Sequence, residues 1–208
     1  MISSHVNHSR KEWARHLDLG CGTRPRNPYQ CHELYGIDIN PAALKDQGMI
    51  RRANLAREPI PFEPDFFDAV SAYDFLEHIP RVLNGEQADQ TTFPFVLLMN
   101  EIWRVLKPAG RLYAVTPGYP RTEAFQDPTH VNIITDKTHL YFTEEGRCGA
   151  QVYGFTGRFR ILRVQWLRQK YEYEPIRKSA AQRLRKILDG LYRRNSHLLW
   201  ELEAVKPG

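Results

Sequence analysis

The chain predicts an α/β protein built on a mainly parallel sheet. Three observations carry that expectation. Short apolar runs suited to buried strands recur through residues 14–117, with helical or turn-forming stretches between them. Residues 92–106 place Phe95, Leu98, Met99, Ile102, Val105 and Leu106 on one face of a helix. Gly20 and Gly22 follow directly on the first apolar run, the end of a strand at which open α/β sheets take ligands.

Taken in order, residues 1–12 are polar and read as an arm. Residues 14–19 read as the first strand and 33–39 as the second. Asn40-Pro41 then supplies an N-cap and a proline at the first helical position, predicting a helix over 41–47 that stops at Gly48. Residues 49–55 give a short third strand and 67–73 a fourth. The helix over 92–106 ends at Lys107-Pro108-Ala109-Gly110, where proline and glycine are stop signals, and 111–117 is the fifth strand. Further on, Thr143 with two acids after it predicts an N-capped helix over 143–154. Residues 158–167 and 198–205 alternate like strands, with Leu198, Trp200, Leu202 and Ala204 on one face. Between these strands lies a basic helix, 179–193 at its core. Its arginines read either as a solvated face or as a surface for an anionic partner such as a membrane, a nucleotide-linked sugar or RNA.

Length and composition narrow the class. At 208 residues, 42% hydrophobic and 25% charged, the chain suits one soluble domain, 1–208, with a sizeable core. No apolar run approaches the ~20 residues that cross a bilayer. The opening residues, MISSHVNHSRKEW, lack the apolar core of a secretory signal. Cys21, Cys31 and Cys148 are too few and too scattered for a metal or disulfide framework, which fits a reducing cytoplasm. A net charge of +5 permits an acidic partner without requiring one.

The glycine loop carries the most chemistry. A dinucleotide-binding fingerprint would have its third glycine at position 25, which is Pro25. Asp18, just before the glycines, would repel a pyrophosphate and attract an ammonium group. Pro25 and Pro28 predict a short irregular segment after the loop in place of a helix. The stretches LDLGCGTR, YGIDI, FDAVSAYDFLEHI and NEIWRVLKPAGRLYAVTP resemble the motifs of class I S-adenosylmethionine-dependent methyltransferases, small-molecule branch, from residue 14 to residue 117. The resemblance implies a Rossmann-like fold, a seven-stranded mostly parallel sheet with an antiparallel last strand, and S-adenosylmethionine as cofactor.

It also implies site residues. Gly20, Cys21 and Gly22 form the cofactor loop, and Asp18 attracts the methionine ammonium. Asp38 accepts both ribose hydroxyls, Ile39 covers an adenine face, and Asn54 with Leu55 stands where the adenine amine is read. Tyr73 and Asp74 lie near the sulfonium, and His78 either touches the cofactor or braces its loop. Arg24 departs from the family's third glycine. It either points to solvent or reaches the cofactor carboxylate.

The acceptor side falls after strands four and five. Asp74, Glu77 and His78 come from one loop. Asp127, His130 and His139 come from residues 118–142, a polar and aromatic stretch expected to cover the substrate. His130 is the preferred general base for a hydroxyl acceptor, with Asp127 orienting it; the bland alternative is that His130 braces its loop. His139 reads as structural. A metal held by Asp127, His130 and His139 matches no ligand spacing, so none is expected. "AYDF" stands where the N/D-P-P-Y/F run of base-amine methyltransferases would be, and no RNA-binding module is appended, which points away from nucleic acid. The expected reaction is methyl transfer to a small molecule or glycan, through oxygen. The glycan suggestion rests on a looser resemblance of DPTHVN to methyltransferases of surface-polysaccharide pathways. The alternatives are a catalytically inactive methyltransferase-like regulatory subunit and a nicotinamide-dependent oxidoreductase.

Overall fold

The computed structural model describes residues 14–40, 49–85, 91–169 and 195–207. The expected arm (1–12), the helix over 41–47 and the basic helix over 179–193 lie outside the described residues.

The strands are β1 (Arg15–Leu19), β2 (Glu33–Asp38), β3 (Ile50–Arg52), β4 (Phe67–Tyr73), β5 (Leu83–Asn84), β6 (Thr91–Thr92), β7 (Leu106–Pro117), β8 (Phe159–Leu167) and β9 (His197–Ala204); α1 spans Pro94–Val105. Seven of them form one sheet in the order β3-β2-β1-β4-β7-β9-β8. β3, β2, β1, β4 and β7 run parallel, and β9 pairs antiparallel with both β7 and β8. This is the α/β, mostly parallel sheet with an antiparallel last strand that the sequence predicts. β5 and β6 form a separate two-stranded ribbon that no periodicity announces, because each strand has only two residues.

Every residue of β4 is buried, as a strand in the middle of a covered parallel sheet must be. α1 starts on Pro94, whose missing N–H costs nothing at a first helical position. It lays Phe95, Leu98, Met99, Ile102 and Val105 against the sheet. Its other side ties down the loop before β4. Arg104 donates to the carbonyls of Ile60 and Phe62, and Glu101 accepts from the Ile60 N–H. On β9, Leu198, Trp200, Leu202 and Ala204 all face the core, as their alternation requires.

Two expectations need correction. The fifth strand does not wait for residue 111. α1 ends at Val105, Leu106 is already extended and pairs with Phe67, and the register then jumps to Ala69 opposite Arg111. Residues 107–110 are thus a bulge inside β7, turned at Ala109 with φ 57°. The predicted capped helix over 143–154 is instead two 3-10 turns, Glu144–Gly146 and Gly149–Tyr153, separated by left-handed Arg147 and Cys148. Thr143 is buried and its side chain caps nothing. Gly146 sits so tightly under Leu140 that a Cβ there would lie 1.8 Å from the Leu140 carbonyl oxygen, and a regular helix does not fit that contact.

Candidate active site

After β1 the chain turns through Gly20 (φ 64°) and Gly22 (φ 57°), left-handed conformations that glycine adopts without strain. The N–H groups of Gly20 and Cys21 both donate to the Ile37 carbonyl, fastening the turn to β2. A Cβ at Gly20 would meet the Phe75 ring at 2.5 Å, so Phe75, just past the end of β4, packs directly on the loop. A Cβ at Gly22 would meet nothing within 4 Å. Among the described residues, that bare face opens on free space. Cys21 is buried beneath it; burial pushes its thiol up to about 12, so it packs as a neutral group.

At the end of β2, Asp38 Oδ2 accepts from the Gly22 N–H at 2.8 Å and Oδ1 from the Asn40 N–H at 2.7 Å. Asp38 remains partly exposed, and Ile39 beside it is 56% exposed. A carboxylate able to take two hydroxyls and a bare apolar side chain therefore flank the space over Gly22. These residues fit the ribose and the flat base of an adenosine. Farther along, Asn54 is engaged in its own turn: Oδ1 accepts from the Ala56 N–H, and its backbone N–H donates to Glu58. Leu55 belongs to the core.

Asp18 is fully buried, and both of its oxygens are engaged. Ser71 Oγ donates to Oδ1 at 2.5 Å and the Arg26 N–H to Oδ2 at 2.8 Å. His16 Nε2 reaches the same Ser71 hydroxyl at 2.7 Å. Burial raises the Asp18 carboxyl to about 7 and drives the His16 ring down to about 3. Asp18 thus anchors the loop segment 23–32, which is irregular, as Pro25 and Pro28 predict. Of the two arginines there, Arg24 is exposed, whereas Arg26 lays its guanidinium 4.8 Å from the centre of the buried Tyr73 ring. The sequence pattern drew attention to Arg24; the arginine that turns inward is Arg26.

A cleft of about 660 Å³ opens where β4 and β7 end and β9 begins. Asp74, Glu77, His78, Asp127, His130 and His197 are among the residues that line it. The stretch DPTHVN is built to grip the turn Leu76–His78. Asp127 Oδ1 accepts from both the N–H and the hydroxyl of Thr129, and these bonds hold its carboxyl below the ordinary range. Thr129 Oγ1 lies 3.0 Å from His78 Nδ1. The N–H groups of Val131 and Asn132 both donate to the Glu77 carbonyl, and the buried Asn132 side chain donates to the Leu76 carbonyl. His130 is therefore held between two fixed neighbours, its ring edge-on to His78.

His130 Nε2 lies 4.0 Å from Asp127 Oδ2 and 4.0 Å from Glu77 Oε1. Its other nitrogen, Nδ1, is 3.3 Å from the Ala124 carbonyl. The expected orienting role of Asp127 is thus not a direct hydrogen bond: that carboxylate spends its bonds on Thr129, and the Ala124 carbonyl sets the ring. Glu77 is 1% exposed, and Thr116 Oγ1 donates to its Oε2 at 2.9 Å. Burial raises its carboxyl to about 8. His139 is elsewhere, buried beside Trp200, so Asp127, His130 and His139 do not converge. Glu77, His78 and His130 do converge, with one ligand atom from each within 4.8 Å of the others. The 4.0 Å between Glu77 and His130 exceeds the ~3.4 Å between neighbouring ligands of a tetrahedral ion with bonds of ~2.1 Å. The array as it stands is open wider than a closed zinc site.

Sequence reasoning missed His197, whose Nε2 lies 3.2 Å from Asp74 Oδ1, and Gln169, which donates to Asp74 Oδ2. Asp74 itself is held at φ 47° by the bond from its N–H to the Val115 carbonyl. A histidine placed just ahead of the alternating run that begins at Leu198 is the one sign His197 gave.

Comparison with known proteins bears on the fold that carries this site. Residues 17–114 match the family model described as a methyltransferase domain. No curated protein matches the chain. Among solved structures, the YcgJ protein of Bacillus subtilis superposes with a TM-score of 0.52 at 15% identity, over 95% of this chain and 94% of that one. An S-adenosylmethionine-dependent methyltransferase from Archaeoglobus fulgidus gives 0.54 at 15% identity, over 93% and 87%. A methyltransferase from Haloferax volcanii, solved with its activator Trm112, gives 0.55 at 17% identity, over 94% and 84%. These likenesses establish the shared fold. Residues 17–114, from the glycine loop through the parallel half of a seven-stranded sheet, thus match a methyltransferase domain, the class I, S-adenosylmethionine-dependent kind that the sequence motifs resemble.

Proposed function

We propose that the chain methylates an oxygen of a small polar molecule or glycan, with His130 as the general base. The observation that carries this reading is the placement of His130: a fixed imidazole lining a polar cleft at the ends of β4 and β7, with Nε2 directed between two carboxyl groups.

On the cofactor side, Asp38 holds the ribose, Gly20 and Gly22 clear the space for the amino-acid tail, and Ile39 covers the base. Asp18 acts through the loop it anchors, and Tyr73 with Asp74 borders the reacting end. Arg24 faces solvent in this reading, and Arg26 takes the inward position. When bound, S-adenosylmethionine supplies a methyl group on a positively charged sulfur, which leaves as a neutral thioether. The protein therefore needs no oxyanion hole; it must align the acceptor and take up its proton. His130 Nε2 accepts the hydroxyl proton as the oxygen–methyl bond forms and the sulfur–methyl bond breaks, the electron pair remaining on sulfur. The imidazolium so formed lies beside the Asp127 carboxylate, which favours its charge.

The test is incubation with S-adenosylmethionine labelled in the methyl group and a panel of methyl glycosides, simple polyols and their amino-substituted counterparts, with wild type and His130→Asn. Label entering an ether in the wild type, and at least a hundredfold more slowly in the variant, supports the reading. Equal rates remove His130 from catalysis, and label appearing on nitrogen overturns the oxygen acceptor.

A further inference from the structure

Glu77 is not explained by its contacts with the protein. A carboxyl that is 1% exposed ordinarily has both oxygens bonded. Here Thr116 takes Oε2, while Oε1 is buried with no hydrogen-bond partner. Glu77 and His130 both line the cleft, and the orphan atom, itself closed off from solvent, lies 4.0 Å from His130 Nε2. The gap is too long for the two groups to bond each other. It is the right width for one oxygen between them: an atom ~2.8 Å from each would see them at an angle of about 90°.

We infer that Glu77 Oε1 and His130 Nε2 together form the seat for the acceptor hydroxyl, Glu77 donating to the oxygen that His130 deprotonates. This deepens the proposed function and rests on its oxygen acceptor. The roles divide by chemistry. A hydroxyl has one hydrogen and two lone pairs. The hydrogen points to unprotonated Nε2, one lone pair accepts the Glu77 O–H, and the second is left free for the methyl. Glu77 can donate because it keeps its proton at neutral pH: burial is the main cause, and the neighbouring carboxylates Asp74 and Asp127 add to it. Among the described residues, the charged or titratable groups facing it are those two, with His78 and His130. The stretch DPTHVN then has a purpose beyond bracing, since it fixes the spacing of the two halves of the seat.

The test uses proton NMR of the His130 ring, assigned by comparison with His130→Asn, in wild type, Glu77→Gln and Glu77→Leu. Binding of S-adenosylhomocysteine serves as the control that each variant is folded. In the wild type, the His130 signal is expected to carry an inflection near pH 8 from loss of the Glu77 proton, absent in both variants. Titration curves of identical shape in wild type and Glu77→Gln overturn the proposal. Methyl glucoside and glycerol are then added. The expected result is a shift of the His130 signal in wild type and in Glu77→Gln, whose amide still donates, with at least tenfold weaker apparent binding in Glu77→Leu. Equal responses in all three overturn the seat while leaving the oxygen acceptor standing. An inflection near pH 8 with no response to either polyol in any protein overturns the oxygen acceptor and the seat with it. Loss of the wild-type response on adding a chelator shows a cation between the two atoms and overturns the seat alone.

Discussion

Asp18 and His16 share one serine hydroxyl, and burial moves them in opposite senses. The folded state keeps the Asp18 proton up to about 7, against an ordinary 3.8, so its contribution to stability is full below 3.8 and is lost as pH rises through 7. The unfolded chain protonates His16 below 6.5, while the folded state resists down to about 3; that contribution is full above 6.5 and is lost as pH falls. Within the shared window each slope is at most about 1.4 kcal/mol per pH unit. Asp18→Asn should make stability rise more steeply with pH than in the wild type between pH 4 and 6.5, and His16→Gln should tilt it the other way. Urea melts across that range measure this, and parallel curves for all three proteins would contradict it. The two arginines of the loop give a second contrast. Arg24 is exposed and Arg26 covers Tyr73, a contact worth about 0.5–2 kcal/mol. Arg24→Ala should leave affinity for S-adenosylhomocysteine within twofold, whereas Arg26→Ala should weaken it several-fold; the reverse order would restore Arg24 as the cofactor-facing residue.

Among the elements, β9 ties the sheet together, since it pairs with β7 and β8 and turns Leu198, Trp200 and Leu202 into the core. Trp200 is fully buried, and Trp200→Ala should cost about 3–5 kcal/mol in a denaturant melt. A loss under 1 kcal/mol would mean that β9 is not packed as described. Gly20→Ala tests the loop. Its Cβ would strike Phe75, so the variant should lose stability and bind S-adenosylhomocysteine at least tenfold more weakly; an unchanged affinity would show that Phe75 yields freely. β1, β2, β4, α1 and β9 were legible because each carries a sustained apolar period. The bulge at 107–110 was not, since its stop signals are used inside a strand. Nor was the break at 143–154, because acids after Thr143 look like a helix start wherever they occur. What prevents the helix is Leu140 lying over Gly146, a contact that no local pattern encodes.

At the scale of the molecule, the proposed cofactor half of the candidate site was visible in the sequence because its parts lie at fixed spacings on adjacent strands: Gly20 and Gly22 after β1, Asp38 at the end of β2. The acceptor half is assembled from four distant segments. Glu77 with Thr116, His130 with Glu77, and Asp74 with His197 meet only when β4, β7, β9 and the loop 118–142 come together. His130 could be nominated for its chemistry, but its partners could not. Asp74, directly after β4, and His78, at the end of the turn that follows, both border the cleft. We propose that the open face over Gly22, flanked by Asp38 and Ile39, holds the adenosine of the methyl donor. Isothermal titration with S-adenosylhomocysteine, on wild type and Asp38→Ala, tests it most directly. Charge-assisted bonds to the ribose are worth about 1.5–3 kcal/mol, so one-to-one binding should weaken by about ten- to a hundredfold in the variant. Absence of binding by the wild type, or equal affinity in both proteins, would contradict the account.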